Sequence, residues 1–303
     1  MPLNPTKMKL GFYAKLKNGT ATASDEEVGG EASNLLFPPH DNGWLVDLAD
    51  GGPESVVFNA GAAVDLNAIY VDGARCTGFG PEDLRIKIET ASDVGITADV
   101  TEWTDGGGAL VPYRMEAAGP AVPYLDMTQP NVGPTDAQLL RHMADGRLRF
   151  LSEQSTSLSR QYVRVTFDHT ATPAAGQELF VPWIWGGYAW SPQFNPDYGE
   201  ASFDLVRESG PDRYLYKLSV VLQVLREDEI FRRWWTDFLV EEGPQNRMWV
   251  WLFPDARERF YEQCFTCQAF PAGVAYEGNF DADAHQTKLA IDFGERFNYE
   301  TEA

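Results

Sequence analysis

Cysteine is scarce in this chain, with three in 303 residues: Cys76, Cys264 and Cys267. That rules out a disulfide framework as the source of stability. Cys264 and Cys267 form one CxxC, but a zinc ribbon needs a second pair, and a thioredoxin-like motif opens a helix after a strand. This segment alternates like a strand, where positions three apart face opposite sides, so both thiols could not readily bind one ion and are expected to be partly buried small hydrophobes. Histidine is nearly as rare. His40, His142, His169 and His285 fall in no HExxH or HxH set, which leaves a zinc hydrolase without a scaffold. There is no GxSxG elbow and no GK[ST] phosphate loop, and Gly106-Gly107-Gly108 is not followed by a helical pattern. Asp41, Asp47, Asp50 and Asp65 could offer oxygens to calcium, but at no diagnostic spacing. The expectation is therefore a protein that is not an enzyme and carries no cofactor and no metal.

Long apolar runs are also missing. Nothing approaches the roughly 18–20 residues of a membrane span. The segment Met1 to Leu10 carries Lys7 and Lys9 without the apolar stretch of a signal peptide. These features predict no membrane insertion and synthesis in a reducing cytoplasm. Positive charge is short too: 24 Lys and Arg face 45 Asp and Glu, for a net charge of -21. Such a surface repels phosphate backbones, so nucleic acid is not an expected partner. The acidity suits solubility, or complementarity with basic partner subunits. Acidic runs such as Asp25-Glu26-Glu27, Glu227-Asp228-Glu229 and Glu241-Glu242 read as solvated loops and helix ends. A glycosidase would need two acids about 5–10 Å apart across a groove.

What the chain has in quantity is aromatic residues, 13 % of the total with nine Trp. Large rings favour strands, cores and contact surfaces. Leu84, Ile86 and Ile88 alternate with Arg85 and Lys87, the period of a strand buried on one face. Val56 to Phe58, Asp65 to Val71, Tyr162 to Phe167 and Glu178 to Trp185 extend the set, with a break at Gly61 and a turn at Asp72-Gly73. This spacing predicts a sandwich or jelly roll over 31–188. Ahead of it, 1–30 reads as a strand at Met8 to Lys17 followed by a loop or arm joint at Ala21 to Glu31. Gly106 to Asp136 is a Gly- and Pro-rich excursion, followed by a short helix near Asp136 to Asp145.

From 189 onward the pattern changes. Leu218, Val220, Leu222 and Val224 alternate as a strand, and then Ile230, Phe231, Trp234, Trp235, Phe238 and Leu239 fall on one helical face. Asp228 caps that helix and Gly243-Pro244 ends it. Strands follow at 247–253, 262–270 and 287–293. The expectation for 189–303 is a small antiparallel sheet or β-barrel with one packed helix, which makes the whole chain mainly β with an α+β part.

Trp183, Trp185, Tyr188 and Trp190 form the most conspicuous candidate site. Such rings can stack on sugar faces, which makes them candidate carbohydrate-binding residues. The alternative is that they pack where the two parts of the chain meet, the commoner use of Trp.

Several of these segments resemble a known family. Ser33-Asn34-Leu35-Leu36, the strands around Val56 to Val71 and Arg160 to Asp168 (RQYVRVTFD) are similar to the galactose-binding-like, discoidin-type jelly roll. The run ELFVPWIWGGYAWSPQFNPDYG resembles the junction that follows such a jelly roll in tail proteins of long-tailed phages. YLYKLSVVLQVL, the Trp-rich helix and KLAIDFGERF resemble their tail-tube-like domain. The resemblance implies a virion protein of distal-tail or baseplate type, assembling as a ring, often of six copies. Its implied partners are the tail tube, the hub, the tape measure and a host surface glycan. The order of domains is the reverse of the ordinary distal tail protein, and no ligand residue of the family can be matched position by position.

Overall fold

Alternating apolar and polar residues dominate the chain, and the backbone answers with strands. The computed structural model describes residues 7–36, 42–48, 52–78, 80, 83–104, 107–113, 117–118, 149–170, 176–192, 202–207, 214–225, 247–252, 264–270, 276–277 and 286–295. In chain order the strands are β1 (Lys9–Ala14), β2 (Thr20–Ala23), β3 (Trp44–Asp47), β4 (Glu54–Asp72), β5 (Arg75–Cys76), β6 (Leu84–Ala91), β7 (Thr101–Glu102), β8 (Val111–Pro112) and β9 (Ala117–Ala118). They continue with β10 (Phe150–His169), β11 (Glu178–Val181), β12 (Trp183–Trp190), β13 (Ser202–Arg207), β14 (Tyr214–Leu225), β15 (Arg247–Trp251), β16 (Cys264–Phe270), β17 (Tyr276–Glu277) and β18 (Gln286–Glu295). The fold is mainly β. Pairing among the described residues is antiparallel apart from the short contact of β9 with β10. One 3-10 turn, Ala32–Leu36, is the helical element among them. The helices expected at 136–145 and 228–242 lie outside the described residues.

Two long strands organise the rest. β4 and β10 pair over nearly their whole lengths, from Glu54↔Phe167 to Val71↔Phe150, with irregularities between Glu153 and Leu158 and between Arg160 and Tyr162. The sequence reading placed two strands here with a break at Gly61. Instead Gly61 takes φ 80° and donates its N–H to Asn59 Oδ1 at 2.9 Å, so the ladder bends without ending. Residues 61–63 at the bend are exposed, whereas 66–72 are buried on both faces.

The half of β4 before the bend pairs with β2, and the matching half of β10 pairs with β6. This layer faces a three-stranded sheet ordered β3-β11-β5. Val56, Phe58, Ile86, Ile88, Val165 and Phe167 from one layer share a core with Trp44, Val46, Leu179 and Val181 from the other. Trp44 meets Phe167 at 5.9 Å between ring centroids. The result is the expected sandwich. Ala21 to Glu31, expected as a loop or arm joint, begins instead as β2, and its remainder covers the edge of β3 through Glu27 N–H to Leu45 O at 2.9 Å and Leu45 N–H to Gly30 O at 3.0 Å. Glu178 to Trp185, expected as one strand, divides at Pro182. Proline has no N–H to give a ladder, and here it passes the chain from the small sheet to the large one.

Past the bend, the sheet runs β16-β15-β1-β12-β4-β10. Neighbouring strands lie about 4.8 Å apart, so a flat sheet would set β16 about 19 Å from β4 and about 24 Å from the start of β10. Yet Tyr70 Oη on β4 lies 3.2 Å from Thr266 Oγ1 on β16. Arg149, just ahead of β10, donates to Cys264 O at 2.6 Å. Only strong curling permits this, so these six strands form an open barrel. β1 sits in the middle of it, Leu10 pairing with Trp190 on one side and Val250 on the other. The expected boundary at 188/189 falls inside β12, and the hydrogen-bonded sheet continues across it.

Gly11 on β1 pairs with Trp249, whose indole lies directly over it. A Cβ on Gly11 would stand 2.0 Å from Trp249 Nε1 and 2.1 Å from Cε2. Gly11→Ala is therefore expected to cost about 1–3 kcal/mol through overpacking, read as a lower urea midpoint with an unchanged m value. A midpoint equal to the parent's would refute this packing.

Candidate functional site

Cross-strand partners in an antiparallel sheet project to the same side. Trp183 pairs with Asp72 and Trp185 with Tyr70. That common side is the barrel interior, opposite the sandwich core entered by Val71, Phe150 and Ile184. Trp185 meets Trp249 edge-on at 5.5 Å, Tyr70 stacks on Trp249 at 5.6 Å, and Tyr70 meets Trp183 at 6.4 Å. Exposure is 3 % at Trp183, 1 % at Trp185 and 5 % at Trp190, while Tyr188 is half-buried. Three of the four candidate sugar-stacking rings thus lie inside the fold, where no sugar face reaches them. Their burial fits the alternative, packing where the two parts of the chain meet. Burying each ring removes about 150–250 Å² of surface from water.

The same interior holds two buried ion pairs. Lys9 Nζ pairs with Glu153 and lies 4.7 Å from the Trp251 ring centroid, a cation–π contact. Arg149 Nε donates to Asp72 Oδ1 at 3.1 Å, and Tyr70 Oη donates to the same oxygen at 3.2 Å. Burial, and then the Asp72 charge, push the Tyr70 hydroxyl well above its ordinary pKa, so it stays a neutral donor. These charges have low exposure and pair with one another in the barrel interior. Cys264 and Cys267 form no disulfide and are fully buried, more deeply than the partial burial expected, and Cys76 is half-buried. No group of three or more His, Cys, Asp or Glu that could hold a metal occurs among the described residues. None of the helices there is long and apolar enough to cross a membrane.

An accessible polar surface lies elsewhere, on the outward side of the sandwich. Thr22, Val57, Arg164 and Glu89 form one cross-strand row over β2, β4, β10 and β6. Thr20, Asn59, Tyr162 and Ala91 form the next row, and Ser55, Thr166 and Lys87 a third. The threonines of β2 are exposed, and Ser55, Asn59, Tyr162, Arg164, Thr166 and Lys87 are half-buried. Glu89 is the hub. It accepts from Arg164 Nε at 3.0 Å and Nη2 at 2.6 Å, and Lys87 Nζ lies 2.8 Å from its other oxygen. Burial alone would raise the Glu89 pKa, but hydrogen bonds from Lys87 and Arg164, and their charges, outweigh it and hold the group below its ordinary 4.5. Alternation in LRIKIET and YVRVTF marks which residues face outward, but no motif marks them as a surface.

No family model matches the chain, and no curated protein matches it. Among solved structures it is similar to a chitosan-binding module from a chitosanase/glucanase of Paenibacillus sp. IK-5, at 15 % identity over 58 % of this chain and 99 % of that one, with a TM-score of 0.35. A family 32 carbohydrate-binding module of C. perfringens NanJ in complex with galactose matches at 13 % identity over 58 % of this chain and 98 % of that one, TM-score 0.35. A Ruminococcus gnavus GH29 fucosidase in complex with fucose matches at 8 % identity over 60 % of this chain and 27 % of that one, TM-score 0.37.

Two measurements test the electrostatics. Lys9→Met strands the Glu153 carboxylate in the barrel and is expected to cost about 3–5 kcal/mol. Lys9→Met combined with Glu153→Leu should recover most of that loss, and equal destabilisation of single and double variants would count against a buried pair. For Glu89 the folded pKa is depressed, so its contribution is present above pH 4.5 and fades as pH falls through the folded value. Glu89→Gln should lower stability at neutral pH and flatten that acid limb. An unchanged stability–pH profile would contradict the assignment.

Proposed function

We propose that this chain is a non-catalytic recognition module of a larger assembly, a β-sandwich that binds carbohydrate and is built rigidly into the barrel that anchors it. The single observation behind this reading is the ladder of β4 and β10, which runs from the sandwich into the barrel. Through it the sandwich is fixed on the barrel by two continuous strands, which suits a module that must hold a ligand-binding surface at a set orientation. The sandwich keeps an open polar face, while the large aromatic residues around it are committed to cores. The resemblance of the sequence to tail-tip proteins supplies the setting: a virion tail, where copies would form a ring joining the tail tube to the host-recognition apparatus. Closed rings use heterologous contacts, and the basic partners that would complement a chain of net charge -21 fit such a place.

A glycan array probed with the purified protein, together with imaging of intact particles, tests both halves. Retention on glycans and density in the tail are the expected results. Absence from particles would remove the virion setting, and failure on every glycan would remove the recognition role. Trp185→Phe should leave glycan affinity within about twofold while lowering stability, because the ring is a core residue. A large loss of affinity without a loss of stability would return the site to the tryptophans.

A further inference from the structure

We propose that the outward face of β2, β4, β10 and β6 is the glycan-binding surface, and that it takes an anionic polysaccharide. This rests on the carbohydrate-binding reading above. The first support is what the face lacks. In a chain with 45 acidic residues, the three rows hold one carboxylate on β2, β4, β10 and β6, Glu89, and a second, Glu102, pairs beside it on β7, where it accepts from Gly108 N–H at 2.7 Å and Thr104 Oγ1 at 3.3 Å. Glu89 is already shared by Lys87 and Arg164, so two cations meet one carboxylate on β10 and β6.

The second support is unused donor capacity. A guanidinium carries five N–H donors and an ammonium three. Glu89 occupies two donors of Arg164 and one of Lys87. The Arg164 side chain is 31 % exposed and that of Lys87 17 %, so a carboxylate or sulfate from outside can reach both. Glu89 holds the two cations in place before any ligand arrives, which lowers the ordering cost of binding.

The third support is what surrounds the cations. Thr20, Thr22, Ser55, Asn59 and Thr166 offer hydroxyl and amide groups, and Tyr162 offers a ring whose hydroxyl is held by Gln161 Nε2 at 3.3 Å. A protein partner would call for an apolar centre to bury, and the exposed large hydrophobics Val28, Val94 and Val100 fall outside these rows. Hydroxyls and amides flanking fixed cations suit a sugar chain carrying acid groups. Long-range repulsion from the rest of the chain is screened over about 8 Å at physiological ionic strength, whereas contact pairs are not.

The test is binding to immobilised polygalacturonate at physiological ionic strength, beside neutral glycans including dextran, and polyglutamate. The expected result is retention on polygalacturonate and none on dextran. Lys87→Gln with Arg164→Gln should weaken binding by roughly tenfold per cation removed. Thr22→Glu with Thr166→Glu, which leaves the Glu89 cluster intact, should weaken it comparably and serves if the first pair fails to fold. Equal retention on dextran, or parental affinity in either double variant, overturns the anionic face while leaving glycan binding standing. Retention on no glycan at all overturns both readings. Polyglutamate held as tightly as polygalacturonate means the face reads charge alone, and the polysaccharide assignment falls.

Discussion

The ladder between β4 and β10 gives the molecule its unity, because a strand has two faces and this pair puts both to work. Before the bend, one face of the pair meets the three-stranded sheet and the other meets solvent. After the bend, Val71 and Phe150 still face the sandwich core, where Tyr113 stacks on Phe150 at 5.5 Å, while Tyr70 and Asp72 enter the barrel. A straight ladder could not serve both cores. The irregular pairing near Gly61 supplies the turn that lets it, at the cost of a short exposed stretch.

β1 completes the arrangement from the far end of the chain. It is made before its partners β12 and β15, which come about 180 and 240 residues later. Contacts of such separation carry a loop-closure cost before they yield any stability. Several features define the slot once it forms. Gly11 admits the Trp249 indole, Lys9 meets Glu153 and Trp251, and Leu16 packs on Gly186, where a Cβ would stand 2.6 Å from the leucine Cδ1. A buried ion pair adds little net stability against an apolar replacement. Here it couples β1 to β10, three strand positions away around the barrel, so it specifies register and closure.

How much of this the sequence disclosed depends on the range of the contact. Leu84, Ile86 and Ile88 against Arg85 and Lys87 revealed both the core and the solvent side of β6, because period-2 alternation is local. Leu218-to-Val224 alternation likewise foretold β14, and CFTCQAF foretold β16. WIWGGYAW shows that Trp183 and Trp185 share a side, but not whether that side is covered. What covers it is Trp249, more than sixty residues downstream and brought back by the curl of the sheet. Gly61 and Pro182 misled in opposite directions. One reads as a stop and is a bend, while the other sits within an apolar run and marks the passage between two sheets.

Covering the aromatic side changes where recognition can occur. A stacking platform needs rings with one face in water, and the barrel takes those rings for its own interior. The sandwich's outward face is left with hydroxyls, amides and, on β10 and β6, the Glu89 carboxylate shared by two cations. The same alternation that fills the sandwich core with Ile86, Ile88, Val163 and Val165 sets Lys87, Glu89, Tyr162 and Arg164 on the other side at fixed spacing. Core and face are therefore written by one pattern, and the rigidity of the first is what gives the second a defined geometry.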